Sequence, residues 1–106
     1  MLKAFLLRQD LIAGIGNIYA DEILFQARLH PARRLQTLRP AQVTVLHRAI
    51  QKVLRRAIAA LSDRGAAVGR LVVVRERGRV CPRCRRPLRI ATIAGRTTYF
   101  CPHCQR

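Results

Sequence analysis

The stretch "CPRCRRPLRIATIAGRTTYFCPHC", residues 81 to 104, holds all four cysteines of this 106-residue chain as two C-x2-C pairs separated by sixteen residues. A C-x2-C knuckle lets two thiolates converge on one ion. Two knuckles at the ends of a hairpin complete the four-thiolate tetrahedron that Zn²⁺ prefers, at about 2.3 Å per sulfur. Cys81, Cys84, Cys101 and Cys104 are therefore the candidate ligands of one zinc ion. With four protein ligands no position is left for water, so the expected ion is structural. Two disulfides, a redox C-x2-C pair, and an iron–sulfur cluster or other metal are the competing readings. His103 reads as a spacer inside the second knuckle. Arg83, Arg85 and Arg86 offset the negative charge of four thiolates on one dication.

Working outward, "LRIATI" and "TTYF" read as two strands joined by a turn at "AGR", and "LVVV" at residues 71 to 74 as a strand before them. A β unit of under 40 residues buries too little core to fold alone, so metal binding is expected to supply much of its stability. "SDRGAAVGR", residues 62 to 70, breaks the preceding pattern with two glycines. Upstream the period is helical. Residues 3 to 9 read as a short helix with Ala4, Leu7 and Phe5 facing inward. A second helix runs from Ile18 to the His30–Pro31 pair, and a third from Pro40 to about Leu61. The third places Val43, Leu46, Ile50, Val53, Leu54, Ala57, Ile58 and Leu61 on one stripe, with Arg39 a poor N-cap. The expected fold is mainly α with a small β unit: a helical unit at residues 1 to 64, a linker at 65 to 69 and a zinc ribbon at 70 to 106.

Composition narrows the partner. Half of the residues are hydrophobic, enough for a packed core, while 21 Lys and Arg face 5 Asp and Glu for a net charge of +16. Such an excess implies a polyanion, with nucleic acid the leading candidate. Nineteen of the cations are arginines, which suit bidentate phosphate contact, although a GC-rich genome enriches arginine too. The chain shows neither an 18-residue apolar run nor a signal-peptide pattern, so it reads as cytoplasmic, nucleoid-associated and without a membrane partner. The cations look spread along the chain, not stacked on one face of one helix, which argues against a membrane-surface role.

"GIGNIYADEILF", residues 14 to 25, places Gly14, Gly16 and Asn17 at a helix N-terminus, where unpaired N–H groups and the helix dipole favour an anion. Asn17 has the chemistry both to cap the helix and to offer an amide to a phosphate. The dinucleotide fingerprint fails, because Tyr19 stands where its third glycine belongs and no strand precedes the turn. A tight interhelical turn without a ligand is the bland reading.

Taken together, "LIAGIGNIYADEILFQARLHP", the long helix and a ribbon reading "AGRTTYFCPHC" resemble the C-terminal half of the formamidopyrimidine-DNA glycosylase and endonuclease VIII family, from Lys3 to the end of the chain. Those bacterial base-excision repair enzymes remove oxidised bases and nick the abasic site. The resemblance implies a helix-two-turn-helix bundle followed by a four-cysteine zinc-ribbon hairpin, acting on damaged or abasic double-stranded DNA. It implies that Gly16 and Asn17 bind phosphates flanking the lesion, that Arg96 of the hairpin reaches the same backbone, and that Glu22 faces the catalytic centre of the whole enzyme. Tyr19 reads as packing.

Two departures qualify the activity. The family's proline nucleophile sits on an N-terminal domain that this chain lacks, and Met1–Leu2 does not match it, so no catalytic residue is assigned. The segment between the third helix and the ribbon is too short for the family's lesion-covering loop. Forming a Schiff base needs an amine, here Lys3, Lys52 or the α-amine, and an acid from Asp10, Asp21, Glu22, Asp63 or Glu76, none visibly paired. Asp21 and Glu22 point to different helix faces, and Asp10 and Asp63 read as turn or helix-end residues. Little glycosylase activity is expected from the chain alone, as a monomer acting with a missing N-terminal domain or split partner. A freestanding zinc-ribbon nucleic-acid binder and a protein-interaction adaptor are the alternatives. Neutralising about five phosphates would give a log–log salt slope of about −4 to −5, which an adaptor would not show.

Overall fold

The computed structural model of the chain describes residues 1–8, 16–62 and 78–106. Its elements are α1 (Leu2–Arg8), α2 (Gly16–Ala27), a 3-10 turn (Leu35–Thr37), α3 (Pro40–Ser62), β1 (Arg89–Ile93) and β2 (Arg96–Phe100). The expected strand at 71 to 74, the linker at 65 to 69, Gly14, Asp10, Asp63 and Glu76 lie outside the described residues.

Helix α2 is the hub, packing against α1, α3 and β2. Tyr19, Ala20, Ile23, Leu24 and Ala27 join Leu2 and Leu6 of α1 and Leu46, Ala49 and Val53 of α3 in one core. Phe25 leaves that core for a second one, built with Cys81 and Cys101 and flanked by Leu88 and Tyr99. A helix apolar on most of its circumference is buried on most of its circumference.

Helix α1 differs from its reading. Leu2, Lys3 and Leu6 are the buried residues, while Phe5 is exposed. Its first-turn N–H groups of Leu2 and Lys3 donate to the carbonyls of Arg33 and Pro31, which satisfies donors every helix start leaves open. The burial of its N-terminal turn follows from that docking.

Helix α2 also ends earlier than the His30–Pro31 pair suggested. Arg28 adopts φ 59°, Leu29 N donates to Leu24 O at 3.0 Å and Arg28 N donates to Phe25 O at 3.2 Å. These two bonds form a Schellman cap, and the Leu24–Leu29 pair supplies its apolar contact within the core. Helix α3 begins at Pro40 as read, and the weak Arg39 cap is offset by Gln42, whose Oε1 accepts from Arg39 N at 3.0 Å. Its inward face is Leu46, Ala49 and Val53, with Ile50 packed beside them. Val43 and Ile58 of the expected stripe are exposed, because the inward face is centred on Leu46, Ala49 and Val53 and both residues lie round the helix from it, on the side away from Ala49.

Strands β1 and β2 pair antiparallel, with Ile93 opposite Arg96 across the two-residue loop Ala94–Gly95. Both loop residues have positive φ, 54° and 73°, the geometry of a type I′ turn that matches the twist of the hairpin. Arg96 is thereby the first residue of β2 and stands exposed at the hairpin tip.

An L-residue at a helix C′ position costs about 1–2 kcal/mol relative to glycine, and glycine gives back about 0.5–1 kcal/mol through the unfolded chain. Arg28→Gly is therefore expected to stabilise the fold by about 0.5–1 kcal/mol, read as a higher midpoint in urea unfolding. A lower midpoint would mean that the Arg28 side chain contributes more than its backbone costs.

Candidate metal centre and nucleic-acid interface

The two knuckles are built alike. Arg85 N donates to Cys81 O at 2.8 Å and Gln105 N donates to Cys101 O at 2.9 Å, so each Cys-x2-Cys loop closes on its own first carbonyl. In each loop the turn aims both sulfurs inward. The Sγ atoms of Cys81, Cys84, Cys101 and Cys104 all lie within 4.8 Å of one another, with Cys81–Cys104 at 3.8 Å and Cys84–Cys101 at 3.5 Å. A zinc tetrahedron with about 2.3 Å bonds requires sulfurs about 3.8 Å apart, so the donor set fits the ion. His103 lies outside this cluster, exposed, with its Nδ1 2.6 Å from Arg86 Nη1, as the spacer reading expected.

Two of the thiols, Cys101 and Cys104, resist ionisation without a cation. The Arg86 backbone N–H pulls Cys84 down to about 7, while burial pushes Cys101 up and, with the neighbouring sulfurs, Cys104 up to about 12. Four thiolates at neutral pH therefore need the positive charge of a metal.

The ribbon is bolted to the helices. Arg83, inside the first knuckle, donates to Phe25 O at 2.7 Å and Gln26 O at 3.4 Å, and its guanidinium lies 4.2 Å from the Phe25 ring centroid. It thereby satisfies carbonyls at the C-terminal end of α2 and meets the negative end of the helix dipole. Gln105 of the second knuckle accepts from Cys101 N and donates to Leu29 O. Arg33 reaches Thr37, Gln42 and the Arg106 carbonyl. His30 stacks edge-on against Phe100 at 4.7 Å; burial, aided by Arg89, lowers its pKa.

Beneath the hairpin lies a group that pattern reading missed. Lys3 Nζ is fully buried and donates to Asp21 Oδ1 and, at 3.0 Å, to Thr98 Oγ1, while Asp21 Oδ2 accepts from Tyr99 N at 3.1 Å. A carboxylate and an amine read as unpaired are thus a buried ion pair joining α1, α2 and β2. Only the odd placement of a lysine among the apolar residues of α1 hinted at it.

Asn17 lies in the first turn of α2, not at its cap, and its Nδ2 donates to Thr97 O at 3.2 Å. Its Oδ1 is buried and makes no hydrogen bond among the described residues. Gly16 opens the same turn. One hydrogen bond across 80 residues thus brings Asn17 beside the strand start that carries Arg96. Glu22 is buried on α2 within electrostatic reach of Arg83, whose pKa burial and the nearby Arg28 lower on balance. Tyr19 is buried in the helical core, as read, and that burial raises its pKa.

Residues 1–66 match the family model described as "Formamidopyrimidine-DNA glycosylase H2TH domain", and residues 78–106 the one described as "Zinc finger found in FPG and IleRS". The chain belongs to the formamidopyrimidine-DNA glycosylase family. The formamidopyrimidine-DNA glycosylases of Thermomicrobium roseum and Symbiobacterium thermophilum are 48% and 44% identical to it, each over 98% of the chain. The chain covers 40% and 38% of those two proteins, and between 32% and 44% of the curated relatives, over their C-terminal part. A solved MutM in complex with DNA containing carbocyclic 8-oxo-G superimposes with a TM-score of 0.82 at 38% identity, covering 98% of this chain and 41% of that one. The Lactococcus lactis Fpg bound to DNA with an abasic site gives 0.82 at 36% identity with the same coverages. The match to the zinc-finger family and the fit of the four sulfurs make the cluster one structural zinc centre. Among the described residues no helix is long and apolar enough to cross a membrane.

Two outcomes follow. Protons compete with zinc for the sulfurs, so apparent zinc affinity is expected to rise from about pH 6 to about pH 8 with proton release on binding, and Cys81→Ser to lose both metal and ribbon structure. Competition with a chromophoric chelator reads the affinity; a pH-independent value would contradict the thiol environment. Removing one partner of a buried pair costs about 3–5 kcal/mol, so Lys3→Ala should unfold or strongly destabilise the chain. Its urea midpoint, beside that of Lys3→Met with Asp21→Leu, separates a stranded charge from lost packing.

Proposed function

We propose that this chain is the damaged-DNA-binding portion of a base-excision repair glycosylase and AP lyase acting on oxidised bases, gripping the phosphate backbone around the lesion. The observation that carries this reading is the Asn17–Thr97 bond, which gathers the N-terminus of α2 and the Arg96-bearing hairpin tip into one surface. Gly16 opens the close backbone approach, the first-turn N–H groups favour a phosphate, and the second amide hydrogen of Asn17 is still available to one. Arg96 adds a solvent-exposed guanidinium whose fork suits a phosphate. The complexes of relatives with lesion-containing and abasic-site DNA support DNA as the partner.

We assign the chemistry of base removal to neither lysine of this chain. A Schiff base needs a neutral, accessible amine, and Lys3 is fully buried against Asp21. Lys52 is exposed but stands on α3, on the far side of α2 from the hairpin. Zinc, when bound, holds the ribbon in shape and takes no part in the reaction. The helical unit and the ribbon then work as two jaws on one backbone, in a protein acting as a monomer with its catalytic domain.

The test is the affinity of the zinc-loaded chain for a duplex bearing a stable abasic-site analogue and for the same duplex intact, at matched salt. Tighter binding of the abasic duplex is expected. Asn17→Ala and Arg96→Ala should each weaken it about 10-fold, the loss of one hydrogen bond to a charged group, with an unchanged circular dichroism spectrum. Unaltered affinity in both variants would refute the assignment of this surface.

A further inference from the structure

The outer face of α3 carries a row of cations that the grip on one duplex does not use. The α3 sequence contains no acidic residue, yet Arg48, Lys52, Arg55 and Arg56 follow one another at spacings of four, three and one, all exposed. At about 100° per residue Arg48, Lys52 and Arg55 lie opposite the buried Leu46, Ala49 and Val53, so they point away from the core. Three of the 21 cations are thus stacked on one face of one helix, while the rest are spread along the chain. Residues four apart with like charge repel and weaken a helix. Of the described carboxylates, Asp21 and Glu22 are both buried on α2, and Asp21 is committed to Lys3 and the ribbon.

The row also faces away from Asn17 and Arg96. Helix α2 presents Ala20, Ile23 and Ala27 to the helical core and Asp21 and Phe25 to the ribbon, roughly half a turn apart. Helix α3 and the hairpin therefore flank α2 on opposite sides. A phosphate backbone seated on Asn17 and Arg96 leaves the α3 row directed at solvent.

We propose that the Arg48–Lys52–Arg55 face of α3 is a second, sequence-independent docking surface for the phosphate backbone of another double-stranded DNA segment, so that one chain holds two segments together. The proposal rests on the DNA-binding reading above. Charge complementarity selects the occupant: from Arg48 to Arg55 the row spans about 10 Å, the axial length of about three phosphates of one strand, and each cation seated there releases a counterion. The row is lined by Ala41, Thr44 and Ala59 and has no aromatic anchor of the kind that centres a protein interface. An anionic bilayer fits less well, because Leu46, Ala49 and Val53 are spent on the helical core and the exposed Val43, Val45 and Ile58 are scattered around α3 without forming one strip to insert.

The experiment uses the full zinc-loaded chain. A biotinylated duplex with an abasic-site analogue is immobilised and saturated with protein, excess protein is washed away, and a fluorescent intact duplex is added over a salt series. Wild-type protein is expected to retain the second duplex, less so as salt rises. R48Q/K52Q/R55Q should keep its affinity for the first duplex within about twofold, keep its fold by circular dichroism, and lose at least about tenfold in retention of the second. Equal retention by wild type and triple variant, or no retention by wild type, overturns the proposal. So does binding to phosphatidylserine vesicles through these residues without capture of a second duplex. N17A/R96A is the separate arm: if it kept the abasic preference, the reading of the hairpin surface would fail, while the triple variant would still decide the α3 face.

Discussion

The structure turns on a buried charge pair that has nowhere else to go. Lys3 and Asp21 are shut away from water where α1, α2 and β2 meet, and taking two charges out of water costs several kcal/mol each before any attraction is counted. Thr98 Oγ1 and Tyr99 N–H supply the remaining hydrogen bonds. The pair thus contributes orientation more than net stability. Any rotation of α2 or slip of β2 by one residue would strand a charge, so the pair selects the single register in which Asn17 meets Thr97.

That register explains how so small a ribbon is held. The zinc shell fixes the two knuckles, but the apolar floor beneath it is borrowed: Phe25 comes from α2 and packs on Cys81 and Cys101. Arg83 returns the favour by covering the Phe25 ring and closing carbonyls at the end of the helix. Metal, helix end and hairpin are consequently one mechanical unit, and a displacement at the zinc would be felt at Arg96 through β2. The ribbon is an aiming device for its tip.

How much of this was legible in the residues varies with the kind of constraint. The cysteine spacing and the hairpin were readable because each is set by local chemistry: ligand count in one case and a two-residue turn in the other. The span of α3 was readable because 23 residues average out local noise. The orientation of α1 was not, since two turns give too few apolar positions to choose a face, and the decisive residue was a lysine whose partner lies 18 positions away. The end of α2 was hidden because its cap uses an arginine in a conformation that normally announces itself as glycine. Adjacency made Asp21 and Glu22 look unpaired, and only tertiary packing brought Tyr99 and Lys3 to the first and Arg83 near the second.

Charge, finally, is a coarser guide than the count suggests. Of the 21 cations, Lys3 is buried against a carboxylate, Arg83 is spent on a helix end and an aromatic ring, and Arg33 bridges Thr37, Gln42 and Arg106. These hold the fold and are not free to neutralise phosphate. The exposed cations among the described residues include Arg96, next to the Thr97 that Asn17 meets, and the row on the outer face of α3. A single strip of phosphates matches the first of these surfaces. The excess of charge that composition reads as one polyanion-binding property thus includes, among the described residues, a hairpin-tip arginine and a helical row of different geometry.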